Sequence, residues 1–371
     1  MSASPDGFSA TDARHMARAL RLARRGQGAT HPNPAVGCVI VRDGAVVGEG
    51  FHARAGAPHA EAEALAAAGD AAHGAEVFVT LEPCAHTGRT PPCADALVAA
   101  GVARVVAAHR DPDPRTAGGG LARLREAGIR VECGLMADQA RALNRGFVRR
   151  LERGRPFVTL KLAASLDGRT AMASGESQWI TDTAARRDVH RERARHHAVL
   201  TSARTVRDDD PRLTARLEAP CRQPDRIVLD ARGVADPGAR VFDDDGTPRW
   251  WLVGSDARVA PAAGVSVLRV PLSGDHVDLP AAFIALGEAG INDVLAECGP
   301  ALAGALLDAG VVDELLLYQA PCLLGDRARP LAALPGIERL AQRRLLQWED
   351  VRMVGADLRI RAAVTAAPDE E

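Results

Sequence analysis

His59-Ala-Glu61, followed by Leu81-Glu-Pro-Cys-Ala-His-Thr-Gly-Arg-Thr-Pro-Pro-Cys93, decides how this chain is read. A neutral imidazole and two thiolates hold Zn²⁺ tetrahedrally and leave the fourth position for water. The metal lowers the pKa of that water from about 15.7 to about 7. Glu61 stands two residues beyond the imidazole, near enough to shuttle protons without binding the metal. A purely structural zinc site would recruit a fourth protein ligand and would have no use for Glu61. His59, Cys84 and Cys93 are therefore the expected zinc ligands, with Glu61 as a catalytic residue.

Working outward, Thr11-Asp12 can cap a helix that carries Met16, Leu20 and Ala23 on one face and stops at Gly26. Val36–Val41 reads as a buried strand, and Asp43-Gly44 turns it into Ala45–Val47. A helix is expected to open on His59 and run to Ala68, followed by a strand Glu76–Leu81 leading to Pro83-Cys84. Cys93 begins another helix, ending near Gly101, and Arg104–Ala108 is the next strand. Both cysteines should then lie beside helix N-termini, whose dipole favours thiolate.

The polar stretch Val148–Pro156 reads as a linker, after which strand and helix alternate again. Phe157–Leu162, Ala198–Thr201, Arg226–Leu229, Trp250–Val253 and Asp293–Glu297 read as strands. Asp182–His196, Ala281–Ala289 and Pro300–Ala309 read as helices. The pattern is α/β, in two domains expected at residues 1–150 and 156–366. A length of 371 residues agrees, since single cores rarely grow beyond about 300.

A net charge of −2 argues against a broadly basic, nucleic-acid-binding surface. Of 46 basic residues all are Arg except Lys161, so Arg clusters carry little weight and the single Lys stands out. On the segment from Arg186 to Arg195, most arginines read as a solvated face. The adjacent His196 and His197 point to different helix faces and do not make a second metal site. Seven scattered cysteines fit a reducing cytoplasm better than a disulfide framework. The charged first 30 residues do not read as a signal peptide, and no run of 18 apolar residues suggests a membrane span.

His-x-Glu followed by Pro-Cys and a second Cys is the signature of zinc-dependent nucleobase deaminases. The usual spacing is Pro-Cys-x-x-Cys, whereas eight residues separate Cys84 from Cys93 here. With that spacer, His31–Val41, Gly56–Glu61 and Leu81–Cys93 resemble the bifunctional deaminase–reductase of bacterial riboflavin biosynthesis. The resemblance extends over essentially the whole chain. It implies a cytidine-deaminase-like three-layer domain followed by a dihydrofolate-reductase-like α/β domain. It also implies deamination of 2,5-diamino-6-ribosylamino-4(3H)-pyrimidinone 5′-phosphate, then NADPH-dependent reduction of the ribosyl to the ribityl chain. By the same resemblance Asn33 would meet the pyrimidine, and His86 and Arg89 the ribose phosphate. Two positions depart from the pattern: Asp113 stands where Asn is usual, and Ala85 where Ser is common.

In the C-terminal half no GxGxxG occurs, but Glu297-Cys-Gly-Pro-Ala-Leu-Ala-Gly304 places a glycine turn at a helix start. Such a turn offers N–H groups to a diphosphate, although it also arises from packing alone. Leu160–Thr170 and Ser174–Thr181 resemble the reductase half of the same enzymes. The resemblance implies NADPH contacts at Ala163, Trp179, Thr205, Asp209, Ala231 and at Gly299, Pro300, Ala301, Leu302, Ala303, Gly304 and Ala305. It implies substrate contacts at Ser177, Arg193, Leu213, Arg216 and Glu297. Lys161 and Asp209 are the candidate polar groups at the reacting ribose, with Lys161 assigned as catalytic against the reading of an ordinary edge-strand Lys. The expected partner is a small phosphorylated pyrimidine, with neither nucleic acid nor membrane, in a homo-oligomer. Two alternatives stand beside this reading: a deaminase of another pyrimidine or of RNA with a non-catalytic C-terminal half, and a C-terminal half that only dimerises or senses nucleotide.

Overall fold

The computed structural model describes residues 7–85, 91–114 and 116–365. It divides into two compact units, Met1–Arg153 and Gly154–Glu371.

In the first unit α1 (Ala10–Arg24) is capped by Ser9 rather than by Thr11-Asp12. The Ser9 hydroxyl accepts the Asp12 N–H at 3.1 Å and the Asp12 carboxylate accepts the Ser9 N–H at 3.0 Å, a reciprocal capping box. β1 (Gly37–Arg42) and β2 (Ala45–Phe51) are joined by Asp43 and Gly44, both at positive φ (51° and 77°), as a tight two-residue hairpin needs. Then come α2 (Ala60–Ala68), β3 (Glu76–Val79), α3 (Cys93–Ala99), β4 (Arg104–Ala107), α4 (Gly119–Glu126), β5 (Arg130–Cys133), α5 (Ala137–Leu143) and α6 (Arg145–Arg153). The sheet order is β2-β1-β3-β4-β5, antiparallel up to β3 and parallel beyond it.

Alternation along β1 builds the layers, because successive side chains leave opposite faces. Cys38 and Ile40 pack with Ala64, Leu97 and Leu121 of α2–α4, while Val39 and Val41 pack with Met16, Leu20 and Ala140 of α1 and α5. The result is a three-layer α/β/α sandwich. Gly50 lets α2 lie directly on β2, since a Cβ there would stand 2.3 Å from the Ala60 carbonyl oxygen. The expected linker is largely helix: α6 takes up residues to Arg153, anchored by buried Gly146 and Val148, and only residues 154–156 are irregular.

The second unit contains β6 (Phe157–Ser165), β7 (Arg169–Ala171), α7 (Thr183–Arg195), β8 (Ala198–Ser202), α8 (Ala203–Asp209), β9 (Asp225–Asp230), β10 (Arg249–Gly254) and β11 (Val265–Val270). After these come β12 (Leu272–Ser273), β13 (His276–Val277), α9 (Leu279–Glu288), β14 (Asp293–Glu297), α10 (Pro300–Asp308) and β15 (Glu314–Ala320). β16 (Arg329–Pro330), β17 (Leu346–Val354) and β18 (Asp357–Val364) complete it. Nine strands form one sheet, β11-β10-β9-β8-β14-β6-β15-β18-β17. It is parallel from β11 to β15, and the β17–β18 hairpin adds an antiparallel edge. Phe283, Leu286 and Leu306 of α9 and α10 cover one face, and Val189 and Val206 of α7 and α8 the other. Burial on both faces is why these strands read as unbroken apolar runs. β6 lies in the interior of the sheet, so Lys161 is not an edge residue.

Candidate active sites

His59 is the N-cap of α2, its backbone still extended at φ −71° and ψ 159°, which turns the imidazole toward the loop after β3. Its Nδ1 stands 3.2 Å from Cys93 Sγ and 3.7 Å from Cys84 Sγ. A tetrahedral zinc with Zn–N and Zn–S bonds of about 2.0 and 2.3 Å separates N from S by roughly 3.6 Å. The three ligand atoms lie within 4.8 Å of one another, the one such cluster among the described residues. The donor set and spacing thus fit zinc, with an open fourth position.

Cys93 is the first residue of α3, whereas Cys84 follows β3 on a loop rather than opening a helix of its own. The Cys84 sulfur nevertheless meets the start of α3 by accepting the Cys93 N–H at 3.3 Å. Hydrogen bonding from Cys93, with His59 adding to it, draws the Cys84 thiol down to about 4, and Cys93, which keeps the shared proton, is pushed up. A divalent cation bound here would take the place of that proton and keep both sulfurs as thiolates. Glu61, in the first turn of α2, is 4% exposed. Burial lifts its carboxyl to about 7, against a hydrogen bond from its own backbone N–H and in the same direction as the charge on Cys84.

Asn33 Nδ2 lies 3.3 Å from His52 Nε2, and His52 Nδ1 lies 3.0 Å from the Pro58 carbonyl oxygen. The His52 ring meets the His59 ring edge-on, with centroids 5.6 Å apart. His52 escaped the sequence reading because no spacing rule ties it to the zinc motif. Glu82 escaped it as well. Its carboxylate accepts backbone N–H groups from Asp111 (3.1 Å), Gly118 (2.9 Å), Gly120 (3.0 Å) and Leu121 (3.2 Å). Asp111 and the stretch from Gly118 to Leu121 are thereby fastened to the segment that ends in Cys84. Gly120 packs so close that a Cβ would fall 1.8 Å from the Pro83 carbonyl oxygen. Asp113 lies between those two anchors and donates its N–H to Asp111 Oδ1 at 2.9 Å. His86 and Arg89 lie outside the described residues.

In the second unit a cleft of about 1400 Å³ opens at the carboxyl ends of the parallel strands, where ligands of open α/β sheets bind. Lys161, Ala163, Ser177, Trp179, Arg193, Thr205, Asp209, Leu213, Arg216, Ala231 and Glu297 all line it, as do Gly299, Pro300, Ala301, Leu302 and Ala305. Ala303 and Gly304 do not: Ala303 is wholly buried in the core, and a Cβ on Gly304 would meet the Ala333 carbonyl oxygen at 1.8 Å. They seat α10 rather than face the cleft. Gly299 caps α10 without a side chain, and Ala301 and Leu302 bring the first helical turn to the cleft wall. That arrangement and volume fit a dinucleotide.

Across the cleft, Arg193 grips Glu297 with two bonds, Nε to Oε1 at 2.6 Å and Nη2 to Oε2 at 3.0 Å. Lys161 Nζ stands 3.8 Å from Glu297 Oε2. Burial opposes charge on Glu297, but Arg193 and Lys161 outweigh it and bring the carboxyl down to about 2. Burial pulls Lys161 downward while Glu297 holds it up. His196 Nδ1 lies 2.8 Å from the Glu192 carbonyl oxygen, and the Asn292 N–H donates to His197 Nδ1 at 3.1 Å, so the pair serves the fold.

Two family models match the chain: the cytidine and deoxycytidylate deaminase zinc-binding region over residues 9–109 and the RibD C-terminal domain over residues 156–358. The riboflavin biosynthesis protein RibD of Escherichia coli (strain K12) is 53% identical over 359 residues, covering 94% of this chain and 98% of that protein. The chain belongs to the RibD family. RibD of Haemophilus influenzae is 47% identical, covering 95% of this chain and 97% of that protein. Among solved structures, Acinetobacter baumannii RibD superposes with a TM-score of 0.88 at 44% identity, covering 96% of this chain and 99% of that one. A Thermotoga maritima protein described as a diaminohydroxyphosphoribosylaminopyrimidine deaminase/5-amino-6-(5-phosphoribosylamino)uracil reductase gives 0.85 at 33%, with the same coverage. A RibD chain is a bifunctional deaminase and reductase of riboflavin biosynthesis. The match runs through both halves, against a deaminase with a non-catalytic C-terminal domain. No helix among the described residues is long and apolar enough to cross a membrane.

Proposed function

We propose that the first unit deaminates 2,5-diamino-6-ribosylamino-4(3H)-pyrimidinone 5′-phosphate and that the second reduces the ribosyl chain of the product to ribityl with NADPH. The observation that carries this reading is the convergence of His59, Cys84 and Cys93 on one point beside the buried carboxyl of Glu61.

His59, Cys84 and Cys93 would hold the zinc, which when bound would acidify a water for the attack on the ring. Glu61 takes a proton from the water side and returns it to the departing ammonia. A carboxyl buried beside the three ligands is placed to take up a proton and give it back without exchanging it with bulk water. Asn33 orients the pyrimidine, its amide aligned by His52. His86 and Arg89 are assigned to the ribose phosphate on the resemblance alone.

In the second unit the cleft would hold NADPH, which when bound would supply the hydride for C1′ of the ribosyl chain. Gly299–Leu302 and Ala305 with Trp179, Thr205, Ala163 and Ala231 form the wall that orients it. Lys161 and Asp209 provide polar groups at the reacting ribose, with Glu297 keeping the Lys161 ammonium in place. Ser177 and Leu213 line the substrate side. Arg193 commits its donors to Glu297 and the Thr214 carbonyl oxygen, whereas Arg216 sends one guanidinium N–H to Thr214 Oγ1 at 3.4 Å and turns to the cleft. Arg212 lines the cleft beside Arg216, and a guanidinium's fork of donors suits a phosphate. The enzyme acts in the cytoplasm as a homo-oligomer; Trp348, Val351 and Met353, exposed on the edge strand β17, support self-association.

Glu61→Gln tests the assignment that matters most. The variant should bind zinc at the wild-type ratio, release no ammonia from the diaminopyrimidinone, and oxidise NADPH normally when given the deaminated intermediate. Retained ammonia release would remove Glu61 from the mechanism.

A further inference from the structure

On α7, His190 and Arg193 lie one turn apart and both reach the segment Leu213–Arg216. The Arg216 N–H donates to His190 Nδ1 at 3.3 Å, and that nitrogen also stands 3.2 Å from the Thr214 carbonyl oxygen. Arg193 Nη1 donates to the same carbonyl at 3.0 Å. Nδ1 therefore ties the ring to this segment at two neighbouring points, donating to the Thr214 carbonyl in one tautomer and accepting the Arg216 N–H in the other. Gln223 holds the residue between them, accepting the Ala215 N–H at 2.8 Å and donating to the Ala215 carbonyl at 2.9 Å.

This segment needs to be held. Leu213 is at φ +55°, in the left-handed region that a branched side chain adopts only when its surroundings impose it, and it is 3% exposed. Leu213 and Arg216 both line the cleft; His190 stands behind them and does not. Burial, with Arg193 and Arg216 close by, lowers the His190 imidazole to about 4, consistent with a neutral ring.

We propose that His190 is a positioning residue of the reductase: it fixes the Leu213–Arg216 segment so that the Arg216 guanidinium meets the substrate phosphate. The proposal rests on the assignment of Arg216 to that phosphate. His190 acts through Arg216 and touches neither substrate nor NADPH.

Steady-state reduction of the deaminated intermediate by the full-length enzyme tests it. His190→Ala should raise the KM for that intermediate roughly tenfold, the scale of one weakened charge-assisted contact. kcat, the KM for NADPH and the deamination rate should stay within about twofold. His190→Asn, whose amide can donate to the Thr214 carbonyl or accept the Arg216 N–H, should recover most of the loss. In an Arg216→Ala background His190→Ala should add nothing, because the two act as one unit. Should His190→Ala not fold, His190→Phe fills the ring volume without any hydrogen-bonding atom and is read the same way. Additive effects, or an equal rise in the KM for NADPH, would reduce His190 to a packing role and overturn the proposal. If Arg216→Ala raises the KM and His190→Ala does not, the positioning role alone falls. If Arg216→Ala leaves the KM unchanged, the phosphate assignment falls and takes the proposal with it.

Discussion

Truncating Glu82 to Ala strips four backbone N–H groups of their acceptor and so tests how the Cys84 loop is held. Gly120 and Leu121, both donating to Oε1, are buried, while Asp111 and Gly118, donating to Oε2, are partly exposed. Each buried donor left unpaired costs about 1–3 kcal/mol, so the two at Oε1 together cost about 2–6 kcal/mol, and water can serve the other two. For a unit of this size each kcal/mol lowers Tm by about 2–4 °C, which puts the expected fall at roughly 5–20 °C. The perturbation is local to the segment between β3 and the zinc ligand Cys84, so zinc content should fall as well. Glu82→Gln keeps an oxygen for one pair of N–H groups but turns an NH₂ toward the other, and should lie between Ala and wild type. Calorimetry with metal analysis reads all three proteins, and the transition of the reductase unit serves as internal control. A Glu82→Ala protein that melts within about 2 °C of wild type and carries full zinc would refute the reasoning.

Cys93→Ala should purify without zinc and without deaminase activity yet still oxidise NADPH with the deaminated intermediate; normal zinc content would overturn the ligand assignment. Lys161→Ala should slow reduction by at least tenfold and leave ammonia release unchanged, because Lys161 lies only in the second cleft. Burial would raise the Asp12 carboxyl, but hydrogen bonds from Arg104 and Ser9 more than offset it and lower the group from 3.8 to about 2. A carboxyl lowered on folding stabilises fully above its unfolded value, so this contribution, about 2 kcal/mol, should fade as pH falls from 3.8 toward 2. Acid titration of Asp12→Asn should lack that component of the unfolding free energy, and an identical acid profile would count against the ion pair.

The clustering of His59, Cys84 and Cys93 was legible because zinc chemistry restricts both residue type and spacing; their ligand atoms lie within 4.8 Å of one another, with Glu61 buried in the first turn of α2. The parallel strands of the second unit were legible as apolar runs for the same kind of reason, since burial on both faces leaves no alternation to misread. Glu82 was not legible, because its four donors lie about 30 to 40 residues downstream and an isolated Glu before Pro carries no signal of them. α6 was mistaken for a linker because its arginines look like solvated loop, while its anchors are only a Gly and a Val. β17 went unread because most of its residues are exposed on both faces, which removes the period-two pattern of a half-buried strand. Within the glycine segment after β14, sequence alone did not separate Ala303 and Gly304, which pack the helix, from Gly299–Leu302, which face the cleft.

The central claim, two reactions in sequence on one substrate, is tested most directly by giving the purified enzyme the diaminopyrimidinone ribosyl phosphate with NADPH and following ammonia and NADPH absorbance together. Ammonia release followed by stoichiometric NADPH oxidation is the predicted result. Ammonia with no loss of NADPH absorbance would contradict the reductase assignment, and NADPH oxidation with no ammonia would contradict the order of the two steps.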